Sequence, residues 1–409
     1  MLVDPALPAA ASLLNAARAA EILAPALAST GGDLLSATPT QVSYRPGQRL
    51  VVRYRADVAW PGERRVETAV LMADAHRLPH GSAVVSDGEG QQVGAWTYPH
   101  DPFLPGLRSA TAPEAVRGLL RELGAAEGSV RITPRVYRPT SRAVLSVESS
   151  RELYLKIVRP RAAGPLYRLH AAVAPRIPVP IAYGTAEPQG IVVLETRRGE
   201  SLGSALSTAR PVPSPSELLD LLDCLAPMAA PEGSFSPPHD AAAANAETLA
   251  GVAPSVAERA RAIAAAARAD WTPDRCVHGD FYESQVLVAD GRISALLDID
   301  EMRPGDALDD VATLLAHLDV LAWHRRQAAP RIRAYRAAVQ EAVVGRGAAE
   351  LLARRVAGAL VGLALWPFRA QLPDWQHATS QLLDRAAAAL GRDGEDLLIR
   401  PSRPLHSVR

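Results

Sequence analysis

The chain has 409 residues, an apolar share of 48%, and 44 basic residues balanced by 44 acidic ones. That allows a large core in two or three structural units, and zero formal charge argues against a dedicated nucleic-acid binder. Two cysteines, Cys224 and Cys276, exclude a disulfide framework and a cysteine-based zinc site.

From the start, Leu13 to Leu23 has the pattern of an amphipathic helix ending before Pro25. The segment Met1 to Thr30 lacks the basic lead of a secretory signal. Gln41 to Arg55 reads as a strand, a turn at Pro46-Gly47 and a second strand, with further strands at Glu67 to Ala73 and Gln91 to Thr97. Thr111 is the expected N-cap of a helix with Pro113 and Glu114 in its first turn and Gly124 as its stop. Tyr44-Arg45-Pro46-Gly47-Gln48-Arg49 then recurs as Tyr137-Arg138-Pro139-Thr140-Ser141-Arg142. Each copy precedes a strand-like run, which suggests two related β-hairpins in tandem; coincidence is the alternative.

Leu153 to Val158 and Gly190 to Glu195 are further apolar strand runs, joined through the connector Ile177-Pro178-Val179-Pro180. Beyond them the chain turns helical. Ser214-Pro215-Ser216-Glu217 opens a helix through Leu225, Pro231 to Pro238 is a polar loop, and Ala241 to Ala267 is helical with a break near Pro254. A small β island lies near Val277, Val286 and Ile293 to Ile299. Helices resume from Leu308 to about Leu390, and the tail from Arg400 is expected to fray. The longest strongly apolar run, Val356 to Phe368, is too short to span a bilayer, so a cytoplasmic protein without a membrane partner is expected.

Chemistry concentrates in two places. Lys156 is the one lysine of the chain, in a composition that otherwise uses arginine throughout. It sits inside a strand run, where a compact ammonium on a slim stem does what a planar guanidinium does not. The second place is Val277-His278-Gly279-Asp280-Phe281-Tyr282-Glu283-Ser284-Gln285, followed by Asp298 in Leu296-Leu297-Asp298-Ile299-Asp300. A His-x-Asp triplet, a carboxamide five residues on and a second Asp on the next hairpin follow the order of a kinase catalytic loop. In that order the first Asp reaches the attacking hydroxyl, while the carboxamide and the second Asp meet a metal on the phosphates.

With Gly305-Asp306 and Asp310-Val311-Ala312 added, these residues resemble the aminoglycoside phosphotransferase superfamily. The resemblance implies an α+β, bilobal protein-kinase-like fold with a β-rich N-lobe, an N-terminal cap subdomain and a mainly helical C-lobe. The implied boundaries are 1–110 for the cap, 111–196 for the N-lobe with the lysine strand and hinge, and 197–409 for the C-lobe. It also implies Asp280 as catalytic base, Asp298 as Mg²⁺ ligand and Lys156 on the phosphates of ATP, with Asp306 and Asp310 holding loops. His278 is expected to be a buried brace.

Three features depart from the family pattern. Gln285 replaces the usual Asn but keeps a carbonyl oxygen for a hard cation; together with the N-terminal cap it is similar to the actinobacterial maltokinases and glucosamine kinases. The helix after Lys156 carries no acid to pair with it between Gly164 and Ala174. No glycine-rich loop precedes the lysine; Thr140-Ser141-Arg142 holds that place. Ser141 and Arg142 are either phosphate contacts or an ordinary turn. Glu195 and Thr196 fall where the hinge would read adenine.

The implied activity is ATP-dependent phosphorylation of a sugar hydroxyl, with an amino sugar such as glucosamine as acceptor. Alternatives are a maltokinase-like enzyme, an antibiotic O-phosphotransferase and, in another class, a nucleotide-binding pseudokinase. Asp280, Asp300, Trp366, Arg369 and Asp374 are the candidate acceptor-binding residues; packing is the competing explanation for the tryptophans.

Overall fold

The computed structural model describes residues 2–228, 235–344 and 348–391. The expected frayed tail and the first half of the expected loop at 231–238 lie outside them. The chain divides into two compact units. The first contains Met1–Arg197, Gly251–Pro254 and Trp366–Trp375, and the second contains Arg198–Ala250, Ser255–Leu365 and Gln376–Arg409.

In the first unit, α1 (Ala10–Leu14) and α2 (Ala16–Ala28) precede a five-stranded antiparallel sheet. The expected single helix is two, because the Asn15 side chain accepts the Ala17 and Arg18 N–H groups and starts a new one. It also runs through Pro25 to Ala28, although proline there removes the hydrogen bond that an N–H would make to Glu21 O. The strands are β1 (Asp33–Arg45), β2 (Arg49–Trp60), β3 (Glu63–Asp74), β4 (Ala83–Ser86) and β5 (Gln92–Thr97). Leu50, Val52, Tyr54, Ala56 and Val58 alternate along β2 onto the face that packs against Leu13, Ile22 and Leu23.

Helices α3 (Gly106–Ala110) and α4 (Pro113–Glu122) follow. The N-cap of α4 is Ala112 and not Thr111: the Thr111 N–H still belongs to the last turn of α3, and its hydroxyl donates back to Arg108 O at 2.9 Å. A second sheet contains β6 (Arg131–Arg138), β7 (Arg142–Glu148), β8 (Glu152–Ile157), then α5 (Pro160–Val173), β9 (Ala182–Ala186) and β10 (Ile191–Glu195). Its strand order, β6-β7-β8-β10-β9, repeats the first sheet's β1-β2-β3-β5-β4. The hexapeptide echo is a hairpin in both cases, Arg45 opposite Arg49 and Arg138 opposite Arg142.

The second unit begins with β11 (Glu200–Ser201), α6 (Leu202–Ser207), α7 (Pro215–Leu225), α8 (Pro238–Val252) and α9 (Ala257–Ala266). Ser214 caps α7 by accepting the Glu217 N–H, as the Ser-Pro-Ser-Glu run predicts. The β island is β12 (Arg275–Val277), β13 (Val286–Ala289), β14 (Arg292–Leu296) and β15 (Arg303–Gly305). The last strand run is shorter than expected: β14 ends at Leu296, and Ile299–Glu301 is a 3₁₀ turn. Then come α10 (Ala307–His324), α11 (Ala329–Val344), α12 (Ala349–Leu363), α13 (Trp366–Arg369) and α14 (Trp375–Leu390). The apolar run read as too short belongs to a longer helical stretch, Ala349–Arg369, whose 21 residues match a membrane span by length and composition. Of its most apolar window 61% is buried, with Leu352, Val356, Leu360 and Val361 almost wholly covered, as in a core helix.

Candidate active site

In the second unit, β12 delivers His278, Gly279 and Asp280 to a tight turn. Gly279 has φ +85°, and a Cβ there would stand 2.2 Å from Glu301 O. Both the backbone and the neighbour therefore demand glycine. Asp310, 3% exposed on α10, accepts the His278 N–H at 2.7 Å and the Gly279 N–H at 2.9 Å. Burial pushes its carboxyl above the usual carboxylate range, against the pull of these N–H groups and of Arg303.

His278 is fully buried and braces the turn. One ring nitrogen accepts the Asp280 N–H at 3.3 Å and the other donates to Leu297 O at 2.8 Å, which requires the Nε2–H tautomer. One imidazole thus ties the backbone of Asp280 to the residue before Asp298. Phe281, fully buried, meets the His278 ring edge-on at 5.9 Å.

Gln285 and Asp298 come together through the β13–β14 hairpin. Leu297 N–H donates to Gln285 O at 2.8 Å, and Gln285 Nε2 lies 3.3 Å from Asp298 Oδ2. Asp298 holds a left-handed backbone, φ +51° and ψ +47°, a costly conformation that clusters at functional positions. Among the described residues no group of three His, Cys, Asp or Glu side chains forms a metal cage. A carboxylate beside a carboxamide nonetheless suits Mg²⁺, which is commonly held by one or two protein oxygens together with phosphate oxygens. Asp300 is half-buried in the adjoining 3₁₀ turn and Glu301 is exposed.

Two sets of residues around this turn escape sequence reasoning. Burial raises the Glu283 carboxyl and depresses His317 to about 4, with the two 3.9 Å apart and Tyr282 stacked on His317 at 4.3 Å. Asp309 accepts Trp271 Nε1–H at 3.0 Å and pairs with the buried guanidinium of Arg355. An acid inside the catalytic loop and the doubled Asp309-Asp310 were the available signals; their partners lie tens of residues away.

In the first unit, Lys156 is 3% exposed and pairs in register with Val144 and Val192. Leu153, Leu155 and Ile157 alternate onto the other face of β8, in the core shared with α3 and α4. Helix α5 contains no acid, as its sequence predicts. Ser141 is exposed and Arg142 half-buried beside Thr140, whose φ is +66°. Glu195 N–H donates to Ile181 O at 2.8 Å, and its carboxylate meets Arg197 at 3.2 Å. Thr196 Oγ1 is buried without a hydrogen-bond partner, a group that a bound ligand would satisfy. Trp366, Arg369 and Asp374 fall in the first unit, where their segment is anchored by Phe368 in the core of the first sheet; all three are exposed.

The second unit thus holds a catalytic-loop turn with a braced Asp beside a carboxylate–carboxamide pair, and the first unit holds a lysine buried within a strand. The profile of the Phosphotransferase enzyme family matches residues 36–349, and the chain belongs to that family. Its α+β fold, sheet-rich first and helical afterwards, is the family's protein-kinase-like fold. A search of the curated proteins finds no match.

Among solved structures, the chain is similar to a thermostable mutant of aminoglycoside phosphotransferase APH(4)-Ia, in a ternary complex with ADP and hygromycin B. The identity is 17%, covering 67% of this chain and 96% of that one, at a TM-score of 0.44. Macrolide 2'-phosphotransferase MphH from Brachybacterium faecium matches at 20% identity over 69% of this chain and 100% of its own, with a TM-score of 0.40. The GDP complex of aminoglycoside 2'-phosphotransferase-IIIa matches at 15% identity, 67% and 97% coverage, and a TM-score of 0.45.

Proposed function

We propose that this protein is a cytoplasmic kinase that transfers the γ-phosphoryl group of ATP to a hydroxyl of an amino sugar, with glucosamine as the first candidate. The observation that carries the reading is the tie His278 makes between the Asp280 backbone and Leu297, the residue before Asp298, with Gln285 Nε2 only 3.3 Å from Asp298. In this reading Asp280 accepts a hydrogen bond from the acceptor hydroxyl and takes its proton as the bond to phosphorus forms. Asp298 and Gln285 would hold Mg²⁺, which supplies charge neutralisation on the phosphates when bound. Lys156 meets the phosphate oxygens, Ser141 and Arg142 line the tip beside them, and Glu195 with Thr196 borders the adenine. Asp300 favours a cationic acceptor, for which Trp366, Arg369 and Asp374 are further candidate contacts.

Coupled ADP release with a panel of glucosamine, glucose, maltose and aminoglycosides tests the reading, with mass gain on the acceptor as the second readout. Selective turnover of glucosamine supports it. Turnover of maltose or of an aminoglycoside keeps the phosphotransferase and replaces the acceptor, whereas tight Mg-ATP binding without any turnover indicates a binding module. Asp280→Asn should lower kcat by at least about two orders of magnitude while leaving the fold intact.

A further inference from the structure

The two sheets of the first unit are copies of one unit, and their differences mark a positioning device. Each copy opens on the same pentapeptide pattern, Asp4-Pro5-Ala6-Leu7-Pro8 and Asp101-Pro102-Phe103-Leu104-Pro105. Two helices and a Tyr-Arg-Pro hairpin follow in each. In the first copy, Asp4 Oδ2 accepts the Tyr44 hydroxyl and the Gly47 N–H, both at 2.8 Å. In the second copy, Asp101 Oδ2 accepts the Tyr137 hydroxyl at 2.9 Å and the Thr140 N–H at 2.8 Å. The tip residues share a left-handed backbone, φ +67° at Gly47 and +66° at Thr140.

The registers align the copies residue by residue. Met72 lies opposite Val51, seven residues after Tyr44, and Lys156 lies opposite Val144, seven after Tyr137. Met72 is fully buried in the core shared with the second copy, so the first copy has an apolar side chain where the second has the ammonium.

Two further differences accompany Lys156. Three residues beyond it stands Arg159, where the first copy has Ala75, and Phe103 stands where the first copy has Ala6. Arg159 sends Nε and Nη2 to Thr140 O at 3.0 and 2.9 Å, with its guanidinium 5.2 Å from the centre of the Phe103 ring. Residue Thr140 is therefore gripped on both sides, its N–H by buried Asp101 and its C=O by Arg159. A β-branched residue at positive φ persists only where its surroundings over-determine it. The first copy meets the same geometry with glycine and needs no such grip.

We propose that Arg159, seated on Phe103, is a positioning residue for nucleotide: it locks the Pro139–Ser141 tip in the shape that receives the phosphates and couples that tip to the strand of Lys156. This rests on the nucleotide-binding reading given above. The brace made by Asp4 or Asp101 is common to both copies and belongs to folding, whereas the Arg159 grip occurs only in the copy that has the lysine.

The test is calorimetric titration of Mg-ADP into the full chain, with thermal melts of the same samples without ligand. Arg159→Met should weaken Mg-ADP about tenfold by loosening a preorganised site, with the melting temperature close to wild type. Arg159→Lys, which keeps the charge but not the fork, should fall between the two. Asp4→Asn, in the first copy, should lower the melting temperature and leave the Mg-ADP affinity unchanged. Lys156→Met is the benchmark. If it weakens binding while Arg159→Met stays within about twofold of wild type, the positioning role is overturned and the nucleotide reading stands. If neither variant changes binding, both fall together. Equal loss in Arg159→Met and Asp4→Asn would reduce the grip to general stability and likewise overturn the proposal.

Discussion

Replacing Asp310 by Ala isolates what holds the catalytic turn. The carboxylate accepts two backbone N–H groups, from His278 at 2.7 Å and Gly279 at 2.9 Å, in a site where Asp310 is 3% exposed. Removing it leaves both donors buried and unpaired, at about 1–3 kcal/mol each, so the expected loss is about 2–6 kcal/mol. Relief of the carboxylate's own desolvation, the largest influence on its raised pKa, returns part of that and favours the lower half of the range. Asp310→Asn keeps one acceptor oxygen for two donors and should cost roughly half as much. Urea unfolding followed by far-UV circular dichroism reads the change as a shift of midpoint at constant slope, carried by the transition of the second unit. An Asp310→Ala protein unfolding at the wild-type midpoint, or an Asn variant as damaged as the Ala variant, would refute the claim that these two bonds anchor the turn.

Gly279→Ala places a methyl 2.2 Å from Glu301 O on a residue with φ +85°; turnover should be lost together with about 2 kcal/mol or more of stability, measured by urea melts. Arg355→Met should cost up to about 3 kcal/mol, because it removes the nearer guanidinium from the Asp309 carboxylate, which is 5% exposed, and leaves Arg303 at 3.6 Å as the remaining one; Asp309→Asn added to it should recover part of the loss. Cys276 is 2% exposed and pushed up to about 11 by burial and then by Asp310. The native protein at pH 8 should therefore alkylate at exposed Cys224 alone, and the urea-unfolded chain at both thiols, as mass spectrometry would count. Raising the pH of the native sample to 9.5 should still leave Cys276 unmodified, since the thiol is 2% exposed and closed to the reagent as well as mostly protonated.

Local chemistry was legible in the amino-acid order wherever one short segment carries it. Ser214 caps its helix through its own third neighbour, the two Tyr-Arg-Pro hairpins close in the same register, and His278 braces a turn made within three residues. What escaped the sequence depends on segments that meet only in the folded chain. Asp309 and Arg355 are 46 residues apart, and nothing near either announces the other. The pentapeptides around Asp4 and Asp101 share four identities, too short a match to notice until their carboxylates are seen on equivalent hairpin tips. The segment Trp366–Trp375 continues a helical run by composition, yet Phe368 places it with the first sheet. The duplication explains why an irregular front half was hard to read against a kinase pattern. Two copies compete for one expectation, and only the one with Lys156 has the arginine and the aromatic ring that let threonine stand where its twin uses glycine.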